Sequence, residues 1–329
     1  MLRRLLVVLI AGLALAATAG EASSQACERP CVGPPRGAIL AGGGGVLDPS
    51  IYRRFVKLAG GSEAKIVLIP TAGARYGSHD GWTAIEALQK AGVVQLEVLH
   101  TRSRAVADLV AFAAPLKEAT GVWFSGGRQF RLVDVYRDTE THGELWAVLE
   151  RGGVIGGNSA GASALASYLV RGSEDADLVM ATDKDVGFGF LRNVAIDQHL
   201  IRRSREYTLF DVLQPYPHLL GVGLAEGSAV LVTRDLAEVL GNRIAIYDAT
   251  DPLSLIPLRW LDPGDVYDLG ARRMFISDGG RYGPRESPSG IRPSYPKMMM
   301  PRPPPPPKRG FTTLLKIEPN WYEKPNTTK

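Results

Sequence analysis

The chain has 329 residues, of which 45% are hydrophobic and 22% charged, and its 38 basic and 34 acidic side chains give a formal net charge of +4. This is the composition of a globular protein, which excludes a disordered or fibrous chain. The small positive charge invites a nucleic-acid or membrane role, so its distribution along the chain has to be examined.

Residues 1–19 have the layout of a secretory signal peptide. Arg3 and Arg4 precede an apolar run, and Ala17-Thr18-Ala19 matches an A-x-A cleavage pattern, with a second candidate site at Ala26. The apolar run has about 12 residues, fewer than the roughly 20 that span a bilayer. We therefore expect a secreted or periplasmic protein without a transmembrane segment.

Cys27 and Cys31 follow in a short N-terminal linker that covers residues 20–36. In an oxidising compartment they can form a local disulfide. Their C-x3-C spacing, with no later cysteine or nearby histidine, does not suit a zinc site. We expect the protein to need neither a metal nor a cofactor.

The body, residues 37–275, alternates short apolar runs with amphipathic segments. This pattern predicts an α/β fold in which helices cover both faces of a parallel sheet. The predicted strands are 37–40, 65–70, 94–99, 121–124, 153–156 and 194–196, and the predicted helices are 49–59, 82–91, 105–112, 143–149 and 160–169. Four further runs, at 221–224, 229–233, 237–240 and 243–247, predict hairpins that extend the sheet edge.

Residues 276–329 form a proline-rich basic tail, which contains Pro303 to Pro307 in a row and has a net charge of +6. We expect this tail to be disordered or polyproline-II-like. With the tail and the signal peptide set aside, the body is mildly acidic, and we expect no nucleic-acid partner. The tail is a candidate for holding the protein on an anionic surface or polymer.

The strongest chemical signal is Gly157-Asn158-Ser159-Ala160-Gly161, a G-x-S-x-G between a predicted strand and a predicted helix. In this context the pattern indicates a nucleophile elbow, in which a sharp turn exposes a serine hydroxyl at the edge of the sheet. Ser159 is thus the candidate nucleophile. The alternative is a glycine-rich turn in which Ser159 caps the helix.

A serine nucleophile needs a base and a carboxylate that orients the base. His199 is the candidate base, because it follows a predicted strand, where functional groups of a parallel sheet collect. The candidate carboxylates between the serine and this histidine are Glu174, Asp175, Asp177, Asp183 and Asp185. The backbone N–H of Ala160 is one candidate oxyanion donor, and a second can come from Ser125-Gly126-Gly127 or from the Gly42–Gly45 run.

The ordered motifs Ile69-Pro70-Thr71-Ala72, Phe124-Ser125-Gly126-Gly127-Arg128-Gln129, Gly157-Asn158-Ser159-Ala160-Gly161-Ala162 and Asp197-Gln198-His199 resemble the S51 serine peptidases. That family includes cyanophycinase and aspartyl dipeptidase, and the resemblance covers roughly residues 37–248. It implies a class I glutamine-amidotransferase-like, flavodoxin-like sheet and hydrolysis of cyanophycin or related aspartyl or β-aspartyl peptides to β-Asp-Arg-like dipeptides. A homodimer is a possible assembly.

The resemblance also implies roles for individual residues. It implies Ser159 as nucleophile, His199 as base and Glu174 as the acidic member, with Asp175 as the alternative. It assigns the oxyanion donors to Gly127 and Ala160, and it places Gln129, Asp197, Gln198, Arg203 and Arg205 in the substrate pocket. In such a pocket Asp197 can pair with a substrate guanidinium, and the two arginines can bind carboxylates.

Two positions depart from the family pattern. Arg128 stands where the family has an acidic residue, and Thr208 corresponds to an arginine of the family. These departures bear on the substrate rather than on the hydrolytic chemistry. The alternatives to a peptidase are an esterase of the α/β-hydrolase type and a non-catalytic exported binding protein.

Overall fold

The computed structural model describes residues 31–73, 79–175, 177–250 and 258–275, and a strand at Thr313–Ile317. The predicted signal peptide, Cys27 and the remainder of the proline-rich tail lie outside the described residues.

The described residues contain fifteen strands and eight α-helices. The strands are β1 (Ala38–Gly42), β2 (Lys65–Ile69), β3 (Gln95–His100), β4 (Gly121–Phe124), β5 (Val154–Asn158), β6 (Ala166–Tyr168), β7 (Leu191–Gln198), β8 (Leu220–Leu224), β9 (Ser228–Thr233), β10 (Leu236–Gly241), β11 (Ile244–Asp248), β12 (Leu258–Leu261), β13 (Val266–Asp268), β14 (Arg273–Phe275) and β15 (Thr313–Ile317). The helices are α1 (Pro49–Leu58), α2 (His79–Lys90), α3 (Arg104–Ala107), α4 (Val110–Ala113), α5 (Gln129–Tyr136), α6 (Glu140–Glu150), α7 (Ala160–Ala164) and α8 (Thr208–Leu213).

The strands form two mixed sheets, so the fold is α/β. The larger sheet has the order β14-β13-β10-β9-β1-β5-β4-β2-β3-β15, and its six strands from β1 to β15 in this order are parallel. From β1 outward to β14 the pairing is antiparallel. The smaller sheet has the order β12-β11-β8-β7-β6.

The second sheet corrects the prediction of a single parallel sheet. The predicted hairpin β9–β10 does extend the larger sheet, but β8 pairs with β7 in the smaller sheet and β11 pairs there with β8. Val194 and Ile196 of β7 join the core that contains α5 to α7, whereas Ala195 joins the core under α8. Since β7 is buried on both faces, its apolar run alone could not show that it belongs to a separate sheet.

Several helix predictions also need correction. The predicted helix 105–112 is two short helices, α3 and α4, and the predicted helix 160–169 ends at Ala164 and continues as β6. The sequence pattern does not predict helix α5. Its apolar side chains Leu132, Val133, Val135 and Tyr136 are buried, but Arg131 and Asp134 obscure the helical pattern.

The end of the N-terminal linker is part of the folded body. Cys31 is 6% exposed and disulfide-bonded, and Gly33 donates a backbone hydrogen bond of 2.8 Å to Arg234. The body therefore includes residues before the expected start at Gly37. At the other end, β15 pairs in parallel with β3, so the expectation of a wholly disordered tail does not hold for Thr313–Ile317.

Candidate active site

Ser159 lies at a sharp turn between β5 and α7. Its backbone has φ 55° and ψ −116°, a strained conformation for a residue with a side chain. A Cβ on Gly161 would lie 2.4 Å from the carbonyl oxygen of Phe124, so only glycine allows this turn to pack on β4. The Ser159 side chain caps no amide of α7, which removes the helix-cap alternative.

Ser159, His199 and Glu226 form one hydrogen-bonded chain. Ser159 Oγ is 2.8 Å from His199 Nε2, and His199 Nδ1 is 2.9 Å from Glu226 Oε1. The serine follows β5 of the larger sheet and the histidine follows β7 of the smaller one, while Glu226 lies in the turn from β8 to β9. The three residues therefore meet where the chain passes between the two sheets.

The environment of Glu226 favours its charged form. Burial raises the pKa of this carboxyl, but hydrogen bonds from His199 and from the backbone of Glu226 and Arg202, with the charge of His199, outweigh burial and lower the pKa. The ionised carboxylate accepts a hydrogen bond from the Nδ1–H group of His199. The unprotonated Nε2 is then the acceptor for the serine hydroxyl.

The Gly42–Gly45 loop after β1 holds these residues in place. The Gly42 carbonyl accepts from Ser159 N at 2.9 Å, and the Gly43 carbonyl accepts from His199 N at 3.0 Å. Gly44 has φ +96°, and a Cβ there would lie 2.3 Å from Cε1 of the His199 ring. The close approach of the loop to the imidazole therefore requires glycine at position 44.

Glu226 occupies the position beside His199 that was expected for Glu174. The backbone carbonyl of Glu174 accepts a hydrogen bond from Arg128, and the charge of the Glu174 side chain favours the charged forms of Arg131 and Lys184. The expectation of Glu174, or of Asp175, as the orienting acid is therefore corrected. The candidate acids named from the sequence all precede His199, whereas Glu226 follows it. The usable signal was an acid in a tight turn between two apolar runs, Gly221–Leu224 and Ala229–Thr233.

The two expected oxyanion donors lie at neighbouring strand ends. Phe124 of β4 pairs with Gly157 of β5, so Gly127 and Ala160 follow adjacent strands at the same edge of the sheet. Gly127 has φ +141°, and a Cβ on it would lie 2.2 Å from the Ala72 carbonyl oxygen. This loop therefore requires glycine, as the Gly126-Gly127 pair suggested.

The expected pocket residues divide into buried and exposed groups. Gln129 donates 2.7 Å to the Val170 carbonyl, and Asp197 lies 3.3 Å from Arg205 in an ion pair that is almost wholly buried. Gln198 is 4% exposed, and its Oε1 has no hydrogen-bond partner within the described residues. Arg203 is exposed, and its charge acts on Arg205.

Arg171, which no sequence motif indicates, completes the buried ionic cluster. Its Nε lies 3.5 Å from Asp197 Oδ1, and its Nη2 donates to the hydroxyl of Thr208 at 3.3 Å. Thr208 is the position at which the resemblance led us to expect an arginine. Arg171, which follows β6, therefore brings a guanidinium to this part of the site from a different element.

The described residues contain no group of three or more side chains suited to hold a metal ion. Among the same residues, no helix has the length and apolar character needed to cross a bilayer.

Known proteins have sequences similar to that of this chain. The profile of Peptidase family S51 matches residues 38–240. A cyanophycinase of Synechococcus elongatus is 31% identical over 73% of this chain and 81% of its own length. A cyanophycinase of Geminocystis herdmanii is 29% identical over 71% of this chain and 94% of its own.

The crystal structure of a peptidase from an acI-B1 Actinobacterium has the same fold, with a TM-score of 0.57 and 21% identity over 71% of this chain and 97% of that one. The chain belongs to Peptidase family S51, and it is a serine-type peptidase. The resemblance drawn from the motifs is thereby confirmed, and the esterase and non-catalytic alternatives lose their support.

Proposed function

We propose that Ser159, His199 and Glu226 form the catalytic triad of this peptidase. Ser159 Oγ attacks the carbonyl carbon of the scissile amide while His199 Nε2 takes its proton. The Glu226 carboxylate accepts a hydrogen bond from the Nδ1–H group of His199 and stabilises the imidazolium that forms. His199 then gives its proton to the leaving amine as the C–N bond breaks, which leaves an ester between the acyl group and Ser159. Water, deprotonated by His199, hydrolyses this ester and restores the serine.

The backbone N–H groups of Ala160 and Gly127 are proposed to bind the oxyanion of each tetrahedral intermediate. They lie at adjacent strand ends beside Ser159, and the N–H of Ala160 is the first of α7, where no intrahelical acceptor is available. Such preorganised donors each contribute on the order of 100-fold or more in turnover number.

The proposed substrate is cyanophycin or a related aspartyl or β-aspartyl peptide, with β-Asp-Arg-like dipeptides as products of the polymer. Support comes from the two cyanophycinases, whose matches span the catalytic motifs. The signal-peptide layout of residues 1–19 supports export, which would bring the enzyme to a polymer or peptide outside the cytoplasm.

The single observation that carries the proposal is the hydrogen-bonded chain from Ser159 through His199 to Glu226. The test is incubation of purified protein with cyanophycin and with β-aspartyl peptides, followed by mass spectrometry of the products. We expect the wild type to release dipeptides, and Ser159→Ala, whose small change leaves the fold intact, to release none. Turnover by a folded Ser159→Ala variant at the wild-type rate would end the proposal.

A further inference from the structure

Thr71 is the centre of a buried hydrogen-bonded network that the proposed triad does not use. Its Oγ1 is 2.8 Å from His100 Nδ1 and 2.7 Å from the hydroxyl of Tyr136, and this hydroxyl accepts from the backbone N–H of Thr101 at 3.2 Å. All four residues are at most 1% exposed. The second of the four sequence motifs to be explained, Ile69-Pro70-Thr71-Ala72, therefore contributes a hydroxyl to the interior and not to the surface.

The network joins three elements through this one hydroxyl. Thr71 lies in the loop after β2, His100 is the last residue of β3 and Tyr136 is the last residue of α5. Helix α5 starts at Gln129, two residues after Gly127. The Thr71 hydroxyl thus ties the loop after β2 both to the neighbouring strand and to the helix that follows the Gly127 turn.

The network is uncharged near neutral pH. Burial, together with the charge of Arg102, lowers the pKa of His100 to about 4, and burial raises the pKa of Tyr136 to about 12. A neutral imidazole has one donor and one acceptor nitrogen, and each hydroxyl can donate one hydrogen bond and accept others. Loss of the Thr71 hydroxyl would take a partner from both His100 and Tyr136 at a place that water does not reach, which is costly.

The loop after β2 supports the turn that contains Gly127. The loop forms a tight turn, closed by a hydrogen bond of 3.0 Å from Gly73 N to the Pro70 carbonyl, and the Ala72 carbonyl within it accepts from Arg128 N at 2.9 Å. A Cβ on Gly127 would lie 2.2 Å from the Ala72 carbonyl oxygen and 2.7 Å from Gly73 N. The backbone of Gly127 therefore lies directly against the Ala72–Gly73 peptide, and a shift of this peptide moves Gly127.

We propose that Thr71 is a positioning residue, which holds the loop after β2 so that the backbone N–H of Gly127 is directed at the oxyanion. This inference rests on the proposed function, because it concerns the donor assigned there to Gly127. Since Thr71 is wholly buried, it acts through the loop and not by contact with the substrate. Oxyanion donors stabilise the transition state more than the bound substrate, so their displacement lowers kcat more than it raises KM.

The test removes the hydroxyl of Thr71 and keeps the branched shape of the side chain. With cyanophycin or a β-aspartyl peptide as substrate, we expect Thr71→Val to lower kcat by about tenfold or more and to leave KM within about twofold. Thr71→Ser retains a hydroxyl and should keep kcat within about threefold of the wild-type value. Tyr136→Phe, which leaves the bond between Thr71 and His100, should lower kcat by a smaller factor, and it tests the network if Thr71→Val does not fold.

The matched control is Thr141→Val. Thr141 is also 0% exposed, and its Oγ1 donates to the Ala107 carbonyl at 2.6 Å, which links α6 to the end of α3 rather than to the loop after β2. Both valine variants should show a similar fall in Tm, but Thr141→Val should keep kcat within about twofold of wild type. Equal losses of kcat in the two variants would overturn the inference. So would an unchanged kcat in folded Thr71→Val, or a rise in KM as large as the fall in kcat.

Hydrogen exchange measures the position of the turn without an assay of hydrolysis. The backbone N–H of Arg128 is protected by its bond to the Ala72 carbonyl, so Thr71→Val should raise its exchange rate, followed by NMR, by about tenfold or more, whereas Thr141→Val should not. Equal exchange rates in wild type and Thr71→Val would refute the inference. Failure of the proposed triad is recognised separately, by turnover of Ser159→Ala at the wild-type rate, because the Thr71 measurements do not depend on which group attacks the carbonyl.

Discussion

Gly44 carries a steric constraint that can be tested at a single residue. Its missing Cβ would lie 2.3 Å from the imidazole of His199, so Gly44→Ala should displace the ring and lower kcat by about tenfold or more. Gly92→Ala is the control, because Gly92 has a similar φ of +104° with nothing within 4 Å of its Cβ position. Steady-state kinetics and thermal unfolding of both variants separate backbone strain from displacement of the histidine. Equal kcat values for the two variants would contradict this account.

The pKa of Glu226 predicts how stability depends on pH. Since the folded-state pKa lies below the ordinary value of 4.5, the carboxylate stabilises the folded protein above that pH, and this contribution is lost as the pH falls through the lowered pKa. Urea unfolding of wild type and Glu226→Gln should therefore show a larger difference in unfolding free energy at about pH 7 than at about pH 3. A difference that stays constant or grows at the lower pH would exclude this role of the carboxylate.

At the level of elements, Asn158 joins the end of β5 to the loop after β1. Its Oδ1 accepts from Gly44 N at 2.9 Å, and its Nδ2 donates to the Gly45 carbonyl at 3.3 Å. Asn158→Ala should destabilise the fold by about 1–2 kcal/mol and lower kcat, because the loop that contacts His199 loosens. The readouts are denaturant unfolding and kcat.

Thr120→Ala is the matched control for this prediction. The Thr120 hydroxyl accepts from Lys65 N at 2.9 Å and donates to the Lys65 carbonyl at 3.4 Å, at the far edge of the same sheet. Thr120→Ala should lower the free energy of unfolding by a similar amount and leave kcat within about twofold of the wild-type value. If both variants lost activity in proportion to stability, Asn158 would have no particular role in holding the site.

Sequence patterns predicted the elements that depend on local order. The strands β1 to β5, the elbow at Ser159 and the position of His199 after β7 follow from short apolar runs and a five-residue motif. The pairing of β7, β8 and β11 in a second sheet depends on long-range contacts. The sequence of a fully buried strand is a continuous apolar run, which does not indicate its partners. The role of Glu226 is not predictable from the sequence for the same reason. The turn that contains Glu226 lies beside His199 only because the chain passes there from the smaller sheet to the larger one.

At the scale of the whole molecule, the tail contributes a strand to the edge of the larger sheet. Deleting residues 276–329 removes β15 and leaves β3 as an unpaired edge, which favours association between chains. We expect greater self-association of the truncated protein in light scattering, with hydrolysis retained because the proposed triad lies elsewhere. Leu315→Pro should act in the same direction, since proline removes a ladder donor. An unchanged molar mass for both proteins would contradict this role of β15.

The tail is also the basic part of an otherwise acidic chain. Truncation should therefore weaken binding to an anionic surface or polymer and leave catalysis in place. Co-sedimentation of full-length and truncated protein with anionic vesicles, at low and high salt, measures this directly. A truncated protein that binds as well as the full chain would remove the tail from such a function.

The two sheets of the molecule meet at the proposed triad, in which Glu226, rather than Glu174, orients His199. The most direct measurement is the rate at which a fluorophosphonate labels Ser159, followed by mass spectrometry, in wild type, Glu226→Gln and Glu174→Gln. This reaction requires the activated serine and no peptide subsite. We predict labelling at least about 100-fold slower for Glu226→Gln and within about threefold of wild type for Glu174→Gln. The reverse order, or labelling at a different serine, would contradict the account.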